Sequence, residues 1–118
     1  MKILVLDDNK DRLKQFKQKL IGHVVECAET AREAIELLEK NEPFDQIFLD
    51  HDLSGFEHQP SGKNTGYEVA EWISKHNHKR PFRIVIHNFN VQGAQNILTL
   101  LPEASYIPGV WLLDRMEF

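Results

Sequence analysis

The chain has 118 residues, one cysteine, a formal net charge of −4 and 42% hydrophobic residues. This suits one domain over residues 1–118 that needs neither a disulfide nor a structural metal to fold. Cys27 has no second cysteine to pair with, the apolar runs fall far short of the roughly 20 residues that cross a bilayer, and Met1 to Leu6 runs into Asp7-Asp8 without a signal-peptide cleavage region. The expectation is a cytoplasmic protein with no membrane contact, and the acidic balance speaks against coating nucleic acid by bulk charge.

Ile3 to Leu6 is continuously apolar and too short for a helix, which predicts a strand buried on both faces, as in a parallel sheet. It ends at Asp7-Asp8-Asn9. Lys10 to Leu20 carries Leu13, Phe16 and Leu20 at helical spacing. Val24-Val25, within His23 to Ala28, predicts a short second strand. Thr30-Ala31-Arg32-Glu33 has the form of a capping box, and Ala31, Ala34, Ile35 and Leu38 make one stripe of the helix that Pro43 closes. Ile47 to Leu49 is a third apolar run and ends at Asp50-His51-Asp52.

Leu53 to Thr65 reads as a long loop, rich in Gly, Ser and Pro. Gly66 to His76 predicts a helix with Val69, Ala70 and Ile73 inward, stopped before Pro81. Phe82 to Ile86 is the fourth strand, ending at His87-Asn88. Val91 to Leu101 is the fourth helix, ended by Pro102. Tyr106 to Leu113 holds a weaker strand interrupted by Pro108-Gly109. The alternation of strands and helices predicts an α/β fold, a three-layer sandwich with a central five-stranded parallel sheet. In such sheets ligands bind beyond the carboxyl ends of the strands, where strand order reverses.

Three strand ends therefore matter: Asp7-Asp8, Asp50-His51-Asp52 and His87-Asn88. Brought side by side, four carboxylates repel one another, and a hard divalent cation, Mg²⁺ or Mn²⁺, is the usual remedy. Taken singly, Asp8 or Asn9 suits a helix cap; taken together, the clusters point to a metal on Asp7, Asp8 and Asp50. His51 and His87 suit general acid or base roles. Nearby carboxylates are expected to keep a histidine protonated. Asn88, Asn90 and the helix start at Gly93 are candidate phosphate-oxygen donors.

Leu4-Val5-Leu6-Asp7-Asp8-Asn9 resembles the first strand of response-regulator receiver domains, and Phe48-Leu49-Asp50 resembles their third. The resemblance implies a flavodoxin-like fold, with Mg²⁺ held by the acidic pair and Asp50, and with Asp50 as phosphoacceptor in phosphorelay signalling. A final fifth helix is not visible in the sequence. His87 stands where receivers carry Ser or Thr, and the lysine of their fifth strand is absent, since the last lysine here is Lys79. Both losses undercut aspartyl-phosphate chemistry, which relies on positioned cations.

Leu49-Asp50-His51-Asp52-Leu53, Thr65-Gly66-Tyr67-Glu68-Val69 and His87-Asn88-Phe89-Asn90-Val91-Gln92-Gly93 together are similar to a narrower group, the cyclic-phosphate processing receiver domains. Asn88 stands where that group usually has Ser or Thr, and Val91 where Pro is frequent. The resemblance implies binding or processing of cyclic or terminal phosphates, on nucleotides or RNA ends, as by a metal-dependent cyclic phosphodiesterase. His51, Asp52 and His87 are then the catalytic candidates. The implied partner is a small phosphorylated ligand or a nucleic-acid end, with a protein partner if the domain is instead a degenerate interaction module. Lys10, Arg12, Lys14, Lys17 and Lys19 make the first helix basic and read as a solvated face, or else as a surface for an acidic partner. His58, His76 and His78 read as solvated, and the loop from Leu53 to Asn64 has the length of a lid.

Overall fold

The computed structural model describes residues 1–53 and 59–108. Among the described residues five strands alternate with four helices: β1 (Lys2–Leu6), α1 (Lys10–Lys19), β2 (Val24–Ala28), α2 (Ala31–Lys40), β3 (Gln46–Leu49), α3 (Gly66–Lys75), β4 (Arg83–Asn88), α4 (Val91–Leu100) and β5 (Ser105–Pro108). A single 3₁₀ turn, Asn77–Lys79, separates α3 from β4. All strand pairs are parallel, in the order β2-β1-β3-β4-β5. The fold is the three-layer α/β sandwich with a five-stranded parallel sheet that the alternation predicts, in the flavodoxin-like strand order that the resemblance implies.

The continuous apolar runs fill both faces of the sheet. Leu4, Leu6, Ile47, Leu49, Ile84 and Ile86 face α2, α3 and α4. Ile3, Val5, Phe48 and Val85 face Leu13 and Phe16 of α1, with Leu20 beside them. Period-two alternation thus splits each short strand between two cores. The helices begin where side chains cap them. Asn9 Oδ1 accepts from Arg12 N–H at 3.0 Å, Asn90 Oδ1 from Gly93 N–H at 2.9 Å, and Thr30 Oγ1 from Glu33 N–H at 3.1 Å. The Thr30 hydroxyl also donates to Glu33 Oε1 at 3.0 Å.

Two boundaries differ from the sequence reading. The fourth strand runs on through His87 and Asn88, while Phe82, 81% exposed, lies before it. Backbone pairing with β5 carries the strand past its apolar core. β5 begins one residue earlier than expected, at Ser105, and its last described residue, Pro108, pairs with Asn88. Proline is tolerated there because an edge strand leaves one N–H side unpaired. The expected extension to Leu113 and the expected lack of a fifth helix lie outside the described residues, as do positions 54–58 of the long loop.

Strand order reverses between β1 and β3, so the switch point lies above their carboxyl ends. Register sets Leu6 opposite Leu49, and Asp50 N–H donates to Leu6 C=O at 3.0 Å. Asp7 and Asp50 therefore leave neighbouring strands at the same height.

Candidate functional site

Asp7, Asp8 and Asp50 each bring a carboxylate oxygen within 4.8 Å of the others. Asp7 is fully buried, Asp50 is 3% exposed and Asp8 is half-buried. Asp7 Oδ1 accepts from Asn9 N–H at 2.8 Å, so the chain turning into α1 fixes its rotamer. Asp50 is held from behind by α3. A Cβ on Gly66 would lie 2.3 Å from the Asp50 carbonyl oxygen, so the helix can start this close only on glycine. Asp50 Oδ2 is buried without a hydrogen-bond partner. Burial, and then the neighbouring Asp7, push the Asp50 carboxyl up to about 8, against the pull of Arg12. Three carboxylates with one orphaned buried oxygen fit a hard divalent cation by donor chemistry.

Arg12 is the site residue that sequence reasoning placed elsewhere, on a solvated basic face. Its Nε donates to Asp7 Oδ2 at 2.8 Å and its Nη2 to Asp7 Oδ1 at 3.0 Å; Nη2 also lies 3.6 Å from Asp50 Oδ2. The signal was the cap at Asn9. It makes Arg12 the third residue of α1, and side chains in a helix lean toward its N-terminus, which here is the mouth of the acidic cluster.

His51 and Asp52 turn the other way. The His51 ring is fully buried against α4, with Nδ1 2.7 Å from Asp52 Oδ1 and Nε2 2.9 Å from Ser61 Oγ. A Cβ on Gly93 would come within 2.6 Å of this ring, so glycine in the first turn of α4 makes room for it. Asn90 is occupied as a tie. Its Nδ2 donates to Gln59 C=O at 2.9 Å and to Asp52 Oδ1 at 3.2 Å, and its Oδ1 caps Gly93. Beside this network lies a pocket of about 400 Å³ walled by the Gln59–Ser61 segment, Phe89–Gly93 and Asn96.

His87 lies on the α1 face, edge-on to Phe16 with ring centroids 5.2 Å apart and near Phe48. Its Nδ1 is 3.8 Å from Asp7 Oδ2, and its Nε2 is buried without a partner. The expectation of a protonated histidine is corrected here. Desolvation outweighs the attraction of Asp7 and lowers the pKa to about 4, so the ring is neutral. The two histidines do not share one crevice: His51 sits under α4, and His87 under α1. Asn88 keeps both side-chain polar atoms buried and unpartnered, while its carbonyl accepts from Tyr106 Oη at 3.1 Å. Of the remaining histidines, His76 is not simply solvated; it stacks on Trp72 at 4.0 Å. His58 lies outside the described residues.

The profile of the family described as cyclic-phosphate processing receiver domain matches residues 2–103. The chain belongs to that family. No curated protein matches it. Among solved structures, chemotaxis protein CheY4 of Vibrio cholerae superposes with a TM-score of 0.74 at 19% identity, over 96% of this chain and 89% of that one. A CheY-like receiver domain protein of Methanospirillum hungatei gives 0.74 at 24% identity, over 96% and 84%. A two-component response regulator of Clostridium difficile gives 0.73 at 24%, over 97% and 87%. These likenesses are ones of fold.

Within this receiver family the chain's own features stand out against its geometry. Val91 opens α4 at the first helical position, where a proline's fixed φ and missing N–H cost nothing; valine there is 56% exposed and replaces nothing structural. Arg12 supplies the cation over the aspartates in a receiver-type domain whose described fifth strand, Ser105–Pro108, carries no lysine. No helix among the described residues is long and apolar enough to cross a membrane.

Proposed function

We propose that this receiver-type domain binds Mg²⁺ or Mn²⁺ through Asp7, Asp8 and Asp50 and binds and processes a cyclic or terminal phosphate, on a nucleotide or an RNA end. The observation that carries the reading is the cluster of three strand-end carboxylates, with one buried oxygen lacking a partner, in a chain of the cyclic-phosphate processing family. A divalent ion there would neutralise phosphate oxygens and lower the pKa of a bound water. The chain's own residues do the rest. Asn9 N–H and Arg12 hold Asp7 in place, and Arg12 offers a positive charge at the mouth of the cluster. His87, neutral, backs Asp7. His51 and Asp52 handle protons on the α4 side, and Asn88, Asn90 and Gly93 shape the phosphate-side wall, Asn90 and Gly93 through the α4 cap.

The reading with Asp50 as phosphoacceptor has the fold in its favour but lacks the hydroxyl and the lysine of that chemistry. The test is turnover of a panel of 2′,3′-cyclic and 3′,5′-cyclic nucleotides and cyclic-phosphate-ended oligonucleotides with Mg²⁺ or Mn²⁺. Hydrolysis abolished by chelator and by Asp50→Asn supports the proposal. No turnover across the panel, with stoichiometric acylphosphate on Asp50 after acetyl phosphate treatment, overturns it in favour of signalling.

A further inference from the structure

The contacts of His51 run beyond Asp52 to a residue that no motif singled out. Asp52 Oδ1 accepts from Gln59 N–H and from Asn90 Nδ2, each at 3.2 Å, so it acts as an acceptor toward the ring as well, and the 2.7 Å contact places the ring proton on Nδ1. Asn90 Nδ2, 3.3 Å from that nitrogen, is spent on Asp52 and on Gln59 C=O. His51 Nε2 is then an acceptor, and the Ser61 hydroxyl 2.9 Å away donates to it. Asn96 Nδ2 donates to Ser61 Oγ at 2.8 Å, which leaves the hydroxyl hydrogen directed at the imidazole. The ring cannot swing away, because it is fully buried against Gly93. Ser61 itself is half-buried and lines the 400 Å³ pocket. A hydroxyl bonded to an imidazole that a carboxylate orients is the arrangement that makes serine a nucleophile.

The pocket wall indicates the electrophile. Among the described residues, none of those lining it is charged. It includes Val91 and Gln92, the first two residues of the ten-residue α4, whose N–H groups have no acceptor within the helix. Asn90 takes up only the next two, Gly93 through its side chain and Ala94 through its carbonyl. Free N–H groups at a helix start favour phosphoryl oxygens. Phe89, 47% exposed, and Val91 give the rim an apolar surface for the organic part of an ester.

We propose that Ser61 is a nucleophile toward phosphoesters, with His51 as its base and Asp52 as the residue that orients the ring; the ligand class rests on the function proposed above. Ser61 Oγ–H breaks, the proton passes to His51 Nε2, and Oγ bonds to phosphorus. One P–O ester bond breaks, and its oxygen leaves with the proton from Nε2. For a cyclic phosphate the ligand stays attached through its second ester bond, giving a seryl phosphodiester. Water then adds to phosphorus, losing a proton to His51, and Ser61 departs as the alcohol with that proton.

A fluorophosphonate probe tests this, because Ser61 attack at phosphorus expels fluoride and leaves a stable adduct. The full chain is treated in chelator, and adducts are located by intact-mass and peptide mass spectrometry. One adduct on Ser61 is expected, absent in Ser61→Ala and after heat denaturation, while Ser74→Ala labels like the parent. Asp52→Asn, with its fold checked by circular dichroism, should label at least about 100-fold more slowly, since an amide favours the wrong ring tautomer. No adduct on the folded protein, an adduct elsewhere, or unchanged labelling of Asp52→Asn overturns the inference and leaves Ser61 as a loop tie. Because labelling needs no divalent ion, the two readings fail separately. Cyclic-phosphate turnover that persists in Ser61→Ala defeats this inference alone, and labelling of Ser61 without divalent-dependent turnover defeats the metal reading alone.

Discussion

The Arg12 guanidinium grips both carboxylate oxygens of Asp7, at 2.8 and 3.0 Å, and stands 3.6 Å from Asp50. The acidic cluster therefore carries an internal counter-cation, placed where a divalent ion would draw on the same oxygens. A bidentate guanidinium is among the stronger partners a carboxylate has, so metal binding has to compete with it.

Replacing Arg12 by Gln should tighten divalent binding about tenfold, since a positive charge beside the ligands is removed. The same change should lower metal-free stability by roughly 1–3 kcal/mol, because buried Asp7 loses its charged partner. Isothermal titration and urea denaturation in chelator read the two effects. Lys14→Gln, an equal change of net charge on an exposed part of α1, should move neither. Weaker binding in Arg12→Gln would show that the arginine positions the ligands rather than competing for the ion.

Asp50 is held at the expense of stability. Its carboxyl is buried, one oxygen lacks a partner, and its pKa rises from 3.8 to about 8. The folded state thus binds more protons than the unfolded chain between those values, and stability falls as pH climbs through this window. Asp50→Asn should raise metal-free stability at neutral pH by about 1–3 kcal/mol, the order of an unpaired buried polar group. It should also abolish the rise in melting temperature produced by Mg²⁺. A destabilised Asp50→Asn would mean that the carboxylate has partners in solution.

His87 has the opposite sign. Its pKa is lowered from 6.5 to about 4, so between those values the unfolded chain binds more protons. Stability is then fully kept above pH 6.5 and falls as the solution is acidified toward pH 4, by up to about 3 kcal/mol. His87→Gln removes this slope and leaves that of Asp50. The difference in unfolding free energy between parent and variant should therefore shift against the parent from pH 7 to pH 4. A flat difference would place the ring in contact with water.

Gly93→Ala should cost roughly 1–3 kcal/mol, the usual range for overpacking, because its Cβ would meet the buried His51 ring at 2.6 Å. It should also slow fluorophosphonate labelling by displacing the imidazole from Ser61. Urea denaturation and labelling kinetics on one preparation check both. Normal stability would mean that α4 slides to make room.

The sheet was legible because its signal is local. Short apolar runs such as Ile3–Leu6 and Ile47–Leu49, each ending at an aspartate, read as buried strands, and the reversal of strand order then sets Asp7 beside Asp50. The side of the sheet that each histidine faces was also within reach. Counting by twos from Val85 puts His87 with Phe48 on the α1 face, where burial keeps the ring neutral. What the sequence does not show is reach across the chain. Arg12 acts through the lean of one helical turn. Ser61 meets His51 ten positions away and Asn96 thirty-five away, through a loop whose path no periodicity reports.

The proposed function requires Asp7, Asp8 and Asp50 to form one divalent cation site. Crystals grown or soaked with Mn²⁺ and measured at an energy where manganese scatters anomalously test it directly. A single strong anomalous peak bounded by carboxylate oxygens of all three aspartates is expected, with the Arg12 guanidinium withdrawn from Asp50. No peak at the cluster at millimolar Mn²⁺, with Arg12 still paired to Asp7 and next to Asp50, would contradict it.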